Sequence, residues 1–267
     1  MRSFKVAILQ TDVALGDPEA NIHHMEKLLD EISGKEVDLI LMPEMWTTGY
    51  ALSRIRELAD DEGKRTKNFL SSYAKKIGAF IAGGSIAERR GERIYNTSYV
   101  FDAEGKQVGE YRKIHLFRLM EEEKFLSPGE RLTTFPFMGE RMGLAICYDL
   151  RFPELFRQLA LAGAKAILLP AEWPHPRLHH WRTLLAARAI ENQMFIIAAN
   201  RTGRDERNFF FGHSLVLSPW GEVVAEGGEG EEILYATIRL DEVEKIRREI
   251  PVFEDRRPDL YTSFSPS

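Results

Sequence analysis

The chain has a single cysteine among its 267 residues, Cys147. No intrachain disulfide can form, and a four-cysteine zinc site is excluded. It also lacks an excess of basic charge: 36 Lys and Arg stand against 41 Asp and Glu, for a formal net charge of -5. Nucleic acid is therefore not an expected partner, because no basic field is present to neutralise phosphates. No apolar run approaches the roughly 20 residues a membrane span needs, so no membrane partner is expected. The start of the chain, Met1-Arg2-Ser3-Phe4-Lys5-Val6-Ala7-Ile8-Leu9-Gln10, has neither a long apolar core nor a small-residue cleavage site. No secretory leader is expected, and the expected location is the cytoplasm. Low-complexity segments and Pro/Ser linkers are missing too. The reading is one domain over residues 1–267, with its core at about 4–249 and a C-terminal tail over 250–267.

What is present is ordinary globular composition, 44% apolar, enough for a large core. Strand patterns alternate with helical ones, which points to an α/β fold. Apolar runs at Lys5–Gln10 and Val37–Met42 read as strands. Between them Asp17-Pro18 marks the cap and first residue of a helix to about Ile32. Lys64–Ile77 has helical spacing. Phe80–Ala87 and Arg93–Phe101 read as strands joined by a turn at Arg90-Gly91-Glu92, and a further strand runs to about Tyr111. After a polar loop, Arg141–Ile146 reads as a strand ending at Cys147, and Phe152–Ala162 as a helix. Ala166–Leu169, His179–Asn192 and Met194–Asn200 continue as strand, helix and strand. A hairpin over His213–Leu217 and Glu222–Ala225, a strand at Ile233–Arg239 and a helix at Leu240–Glu249 follow. The polar tail is expected to pack outside this core. One internal echo stands out: Asp38-Leu39-Ile40-Leu41-Met42-Pro43-Glu44 resembles Ala166-Ile167-Leu168-Leu169-Pro170-Ala171-Glu172, hinting at two similar halves.

Three chemically complementary residues lie just past predicted strand ends, where α/β sheets gather their ligands. Glu44 follows Val37–Met42, Lys113 follows the strand ending near Tyr111, and Cys147 follows Arg141–Ile146. A lone cysteine is most often a small buried hydrophobe, but this one opens a strand-to-helix turn. Free backbone N–H groups there are expected to lower the thiol pKa and to form an oxyanion site.

Three segments carry a family resemblance: Leu41-Met42-Pro43-Glu44-Met45-Trp46, Tyr111-Arg112-Lys113-Ile114-His115-Leu116-Phe117 and Gly143-Leu144-Ala145-Ile146-Cys147-Tyr148-Asp149-Leu150-Arg151-Phe152-Pro153-Glu154. In their order and spacing they resemble the nitrilase, or carbon–nitrogen hydrolase, superfamily, over about Phe4 to Glu249. The stretch from Pro170 through Trp173 and Arg177 to Gln193 resembles the ω-amidase branch, which acts on ω-amides of 2-oxo acids such as 2-oxoglutaramate. The resemblance implies a four-layer α-β-β-α sandwich, a homodimer, a small-molecule amide substrate and no metal or organic cofactor. It also implies Cys147 as nucleophile, Glu44 as general base and Lys113 as cationic stabiliser. A thiol needs an adjacent base near neutrality, and the carbonyl oxygen that turns negative needs donors, here Lys113 and the Tyr148 N–H. A plausible setting by the same resemblance is removal of 2-oxoglutaramate after glutamine transamination, including in methionine salvage. The family carries a fourth carboxylate on the loop after the lysine. Matching to Ser127-Pro128-Gly129 favours Glu122, with Glu121 and Glu123 as the neighbouring registers.

Competing readings remain beside these. Glu44 and Lys113 could be solvated surface charges, the default for their types. Glu172, the echo of Glu44, is expected in the pocket wall or behind it. His115 could form a cysteine–histidine pair, although packing is the commoner role of an isolated histidine. His175, His179 and His180 raise a metal site that Pro174 and Pro176 argue against, since they break helical spacing. Trp46, Tyr50, Trp173 and Trp181 could wall a pocket or fill the core. Arg177 suits a substrate carboxylate or an ordinary surface. Asp149, Arg151 and the Tyr148 ring are expected to hold the turn. The rival functions are another amide specificity, such as N-carbamoyl amino acid or aliphatic amide hydrolysis, and a non-catalytic binding module.

Overall fold

The structure, a computed structural model, describes residues 3–261. Strand β1 (Phe4–Gln10), helix α1 (Pro18–Ile32) and strand β2 (Leu39–Leu41) open the chain. Asp17 caps α1 by accepting the Ala20 N–H, as its sequence signature predicts. A short helix α2 (Ile55–Leu58), a two-residue strand β3 (Asp60–Asp61), helix α3 (Lys64–Ile77) and strands β4 (Phe80–Ala82), β5 (Ile86–Arg90), β6 (Arg93–Phe101) and β7 (Gln107–Arg112) follow. Together with a late strand they form an eight-stranded mixed sheet. Its main path runs β16 (Glu232–Ile238), β1, β2, β4, β6, β5, β3, and β7 pairs with β6.

Helix α4 (Glu122–Phe125) leads into the second sheet, built from β8 (Thr134–Phe137), β9 (Glu140–Leu144), β10 (Ala166–Ala171), β11 (Phe195–Asn200), β14 (Leu215–Leu217) and β15 (Val223–Glu226). Helices α5 (Pro153–Leu161) and α6 (Leu178–Asn192) make its parallel crossovers. A small hairpin, β12 (Thr202–Arg204) with β13 (Phe209–Phe211), stands apart, and α7 (Asp241–Glu249) and α8 (Pro258–Tyr261) end the described chain.

Residue alternation separates the layers. Along β1 and β2, Val6, Ile8, Leu39 and Leu41 join the core shared with the second sheet. Their neighbours Ala7, Leu9, Ile40 and Met42 pack instead on α1 and α3 through Met25, Leu29, Leu70 and Ala74. This is the period of two that sends successive side chains to opposite faces. The other face of the second sheet is covered by α5 and α6 through Phe156, Leu159, Trp181 and Leu185. Phe137 of the second sheet meets Phe4 and Phe80 of the first edge-on, with centroids 5.1 and 4.9 Å apart. The result is the expected α-β-β-α sandwich. The echo between its halves is structural: β1-β2-β4 and β9-β10-β11 are parallel triplets, and Glu44 and Glu172 stand past the ends of their central strands.

Several expectations are corrected. The strand expected over 80–87 is two strands. β4 pairs in parallel with β2 while β5 pairs antiparallel with β6, and the break between them is stitched to the loop carrying Glu44. Ser85 N–H donates to the Pro43 carbonyl at 3.1 Å. Gly84 sits at φ +58°, where a Cβ would lie 1.9 Å from that same oxygen, so only glycine fits. Strand β8 falls in what reads as a polar loop; its Pro136 is tolerated because β8 is the edge of its sheet. The tail does not leave the core at 250. Phe253 lies under the Arg157 and Arg247 guanidiniums, and Gln193 donates to the Ile250 carbonyl. Residues 262–267 of the tail lie outside the described residues. Among those described, no helix is long and apolar enough to cross a membrane.

Candidate active site

Glu44, Lys113 and Glu122 reach one buried point from three separate segments, each with no exposed side-chain surface. Glu44 follows β2 across Met42-Pro43, and every face of its carboxylate is engaged. Oε1 accepts from Lys113 Nζ at 2.9 Å and from Asn96 at 2.8 Å, and lies 2.7 Å from the Tyr50 hydroxyl. Oε2 accepts the Glu172 N–H at 2.8 Å. Lys113 follows β7, and its ammonium also donates to Glu122 at 2.6 Å and to the Tyr50 oxygen at 3.2 Å. Of the three consecutive glutamates, Glu122 is the one turned inward; Glu121 pairs with Lys124 at the surface and Glu123 is exposed. Glu122 Oε2 accepts the Phe117 N–H at 3.1 Å. The Tyr50 hydroxyl has one proton and stands 2.7 Å from both Glu44 and Glu122. It can donate to only one of them at a time.

The electrostatics follow from burial and count. Burial pulls the Lys113 ammonium down, but the Glu122 and Glu44 carboxylates outweigh it and leave its pKa above the ordinary lysine value. Burial pushes Glu122 up, against the pull of Lys113. Burial, and then the two carboxylates, hold the Tyr50 hydroxyl well above its usual range.

Cys147 opens a 3-10 turn over Cys147–Arg151, between β9 and α5. Its φ of +45° is unusual for a residue with a side chain and costs of order 1–3 kcal/mol. The turn is held against that cost. Asp149 accepts the Ile146 N–H at 2.9 Å, and Arg188 from α6 donates to the Leu150 carbonyl at 3.0 Å. The thiol is nearly buried and within hydrogen-bonding reach of Glu44. Burial first, and the Glu44 carboxylate second, push its pKa well above the ordinary cysteine value, with Lys113 opposing. This reverses the expectation that the turn lowers the thiol pKa: desolvation beside a carboxylate outweighs the local N–H groups. The arrangement is a neutral thiol facing a carboxylate able to take its proton, beside an ammonium able to meet a developing oxyanion.

A cleft opens onto this cluster. Cys147, Glu122, Tyr50, Glu172 and Trp173 line its buried end, with Phe117, Met120, Tyr148, Arg151, Pro174 and Arg177 further out. Tyr50, Tyr148, Trp173 and Arg177 all line this cleft. Trp46 does not. It is buried under the first sheet, tilted against Phe69 at 5.7 Å, with its indole N–H on the Gly83 carbonyl. It is a core residue because its side chain leaves the loop on the helix side of the sheet. Trp181 is likewise core, donating to the His213 carbonyl.

Arg151, expected only to hold the turn, is a second guanidinium on the cleft, 5.1 Å over the Trp173 ring. Arg177 lies 5.7 Å over Phe117. Both stack on aromatic walls, and Arg151 also lies 3.3 Å from His180 Nδ1; a guanidinium stacked this way still presents N–H groups at its edge to a planar anion. His115 is no partner of the thiol; its ring stacks on Phe152 at 3.6 Å and its Nδ1 is 2.7 Å from Asp149. His175 stacks on Phe209, away from the His179 and His180 pair. Among the described residues no group of three His, Cys, Asp or Glu side chains is placed to hold a metal ion.

The chain matches the family model described as carbon-nitrogen hydrolase over residues 5–248. It is 47% identical over 256 residues to a 2-oxoglutaramate amidase of Bacillus subtilis, covering 96% of this chain and 98% of that protein. It is 34% identical to the human omega-amidase NIT2, with 98% of each covered. A crystal structure of a carbon-nitrogen hydrolase from Helicobacter pylori superposes with a TM-score of 0.91 at 27% identity, over 97% of both chains.

Proposed function

Because the chain belongs to the carbon–nitrogen hydrolase family, we propose that it hydrolyses the ω-amide of a 2-oxo dicarboxylic acid monoamide, 2-oxoglutaramate or a close analogue, to ammonia and the diacid. The observation that carries this reading is the cleft itself. Its buried end sets the Cys147 thiol against Glu44, Lys113 and Glu122, and its outer part presents Arg151 and Arg177. The far carboxylate of a 2-oxo acid monoamide matches the charge of these two guanidiniums, whereas an uncharged amide makes no use of it. The similarity to a 2-oxoglutaramate amidase over nearly the whole chain supports the same substrate class.

In this mechanism Glu44 takes the thiol proton as the Cys147 sulfur attacks the amide carbon. The oxygen that becomes negative is met by Lys113 and the Tyr148 N–H. Glu44 returns the proton to the departing nitrogen, ammonia leaves and a thioester remains. Glu44 then takes a proton from water, hydroxide equivalent attacks the thioester, and the proton returns to sulfur. Glu122, fixed by Lys113 and the Phe117 N–H, positions the ammonium and faces the amide. No step calls on a cofactor. We further read the whole chain as one hydrolase domain acting in the cytoplasm as a homodimer. The exposed side chains Ile190, Trp220 and Ile250, which line one groove, support pairing.

The test is ammonia release from a panel of 2-oxoglutaramate, 2-oxosuccinamate, N-carbamoyl amino acids and aliphatic amides, with Cys147→Ala as control. Turnover of the 2-oxo acid amides, lost in the variant, is expected. Robust release from a carbamoyl compound with none from the 2-oxo acids sinks the substrate assignment. Equal activity of variant and wild type sinks the nucleophile.

A further inference from the structure

Glu172 and Arg201 form a fully buried pair that the mechanism above does not use. Arg201 follows β11 and Glu172 follows the adjacent β10; Arg201 Nη1 donates to Glu172 Oε2 at 3.0 Å. Arg201 also reaches the first sheet, donating to the Val13 carbonyl at 2.8 Å and to Asp12 at 3.1 Å. Its guanidinium is stacked 4.2 Å over Phe210. It thus ties the strand end after β1 to the strand end after β10. Those are the two sheets whose ends carry Glu44 and Glu172, and the contact between them is the Glu172 N–H on Glu44 Oε2. The other Glu172 oxygen, Oε1, is buried with no hydrogen-bond partner among the described residues, an expensive state for an ionised carboxylate.

We propose that Glu172 and Arg201 are positioning residues for Glu44: the pair fixes the peptide N–H that holds the Glu44 carboxylate toward the thiol, and Glu172 does so as a neutral carboxylic acid. A neutral Glu172 adds no charge beside the base, and Arg201 keeps Asp12 and Asp205 as its counter-ions. An ionised Glu172 would add a further anion near Glu44, beyond Glu122, and oppose the negative charge that builds on sulfur and on the carbonyl oxygen. The groups facing Glu172 are Arg201, Glu44 and Asp205, with Asp12 beyond Arg201. Burial holds its pKa up to about 8, against the pull of Arg201 and with Glu44 adding to the rise. The alkaline limb of kcat/KM therefore falls as Glu172 ionises. The inference rests on Glu44 being the base.

The experiment compares Glu172→Ala, Glu172→Gln and Glu44→Gln with wild type, on whichever amide is turned over best, from pH 6 to 10. The expected result is a large loss of kcat with little change of KM in Glu172→Ala. Glu172→Gln, which keeps an acceptor for Arg201 but cannot ionise, regains most of that kcat and moves the alkaline limb to higher pH. Wild-type kcat in folded Glu172→Ala, or a Glu172→Gln profile that superimposes on wild type, overturns the inference while leaving the amidase reading intact. If Glu172→Ala does not fold, the Glu172→Gln profile decides alone. Turnover retained in Glu44→Gln overturns both the inference and the base assignment.

Discussion

The Tyr111 hydroxyl donates to Asp149 Oδ2 at 2.7 Å, linking the end of a strand in one sheet to the nucleophile turn of the other. Asp149 also accepts the Ile146 and His115 N–H groups, so one buried carboxylate ties the Cys147 turn to the loop just past Lys113. Burial and the adjacent carboxylate keep Tyr111 protonated. Tyr111→Phe is expected to cost about 1.5–3 kcal/mol, the range for a hydrogen bond to a charged group. Asp149→Ala orphans several donors at once and is expected to cost at least about 3 kcal/mol, with loss of activity beyond what the fold loses. Urea denaturation beside steady-state kinetics checks both.

Lys113 neutralises two buried carboxylates at once. Its replacement by Met leaves both uncompensated, and about 3–5 kcal/mol of stability is expected to go. Adding Glu122→Gln to Lys113→Met should recover part of the thermal stability and none of the turnover. Recovery of turnover would show that Lys113 acts only as a structural counter-ion.

Arg151 and Arg177 are expected to read charge rather than the amide. Replacing either by Gln should lower kcat/KM for an anionic 2-oxo acid amide by about 10- to 100-fold, from about 1.5–3 kcal/mol per charged hydrogen bond. Turnover of an uncharged aliphatic amide, where measurable, should change little. Equal losses on both substrates would assign the two arginines to the fold of the turn and loop.

Stability should depend on pH through Glu172. Its folded pKa of about 8 lies above the ordinary carboxyl value of 4.5, so between those limits the native state binds a proton that the unfolded chain has released. The stabilisation is full below about pH 4.5 and is lost as pH rises through 8. The loss is at most about 5 kcal/mol, with a steepest slope of about 1.4 kcal/mol per pH unit. Glu172→Gln should flatten this region of the curve; an unchanged slope would place the titration elsewhere.

The reacting groups were legible because each lies just past a strand end within a recognisable segment: Glu44 after the apolar β2, Lys113 after β7 and Cys147 after β9. Strand ends fix position along the sheet, and Glu44, Lys113 and Cys147 need little else to converge. Direction is harder to read. Trp46, two residues past Glu44, leaves the loop toward α3, and sequence spacing does not distinguish that from the pocket side. Arg151 lies within the segment that fixes Cys147, yet its exit onto the cleft depends on the 3-10 form of the strand-to-helix turn, which local sequence does not specify. The pairing of Glu172 with Arg201 depends on two strand ends lying side by side in the sheet, and no local pattern carries it. Strand β8 was hidden by Pro136, which is permitted there only because that strand has a free edge.

Burial and the Glu44 carboxylate favour the protonated form of the Cys147 thiol, against the pull of Lys113. Peroxide and alkylating agents react with thiolates, and the rate follows the thiolate fraction and its exposure. The same burial that makes Glu44 necessary for attack therefore also lowers the thiolate fraction that such reagents would meet at the cleft between turnovers.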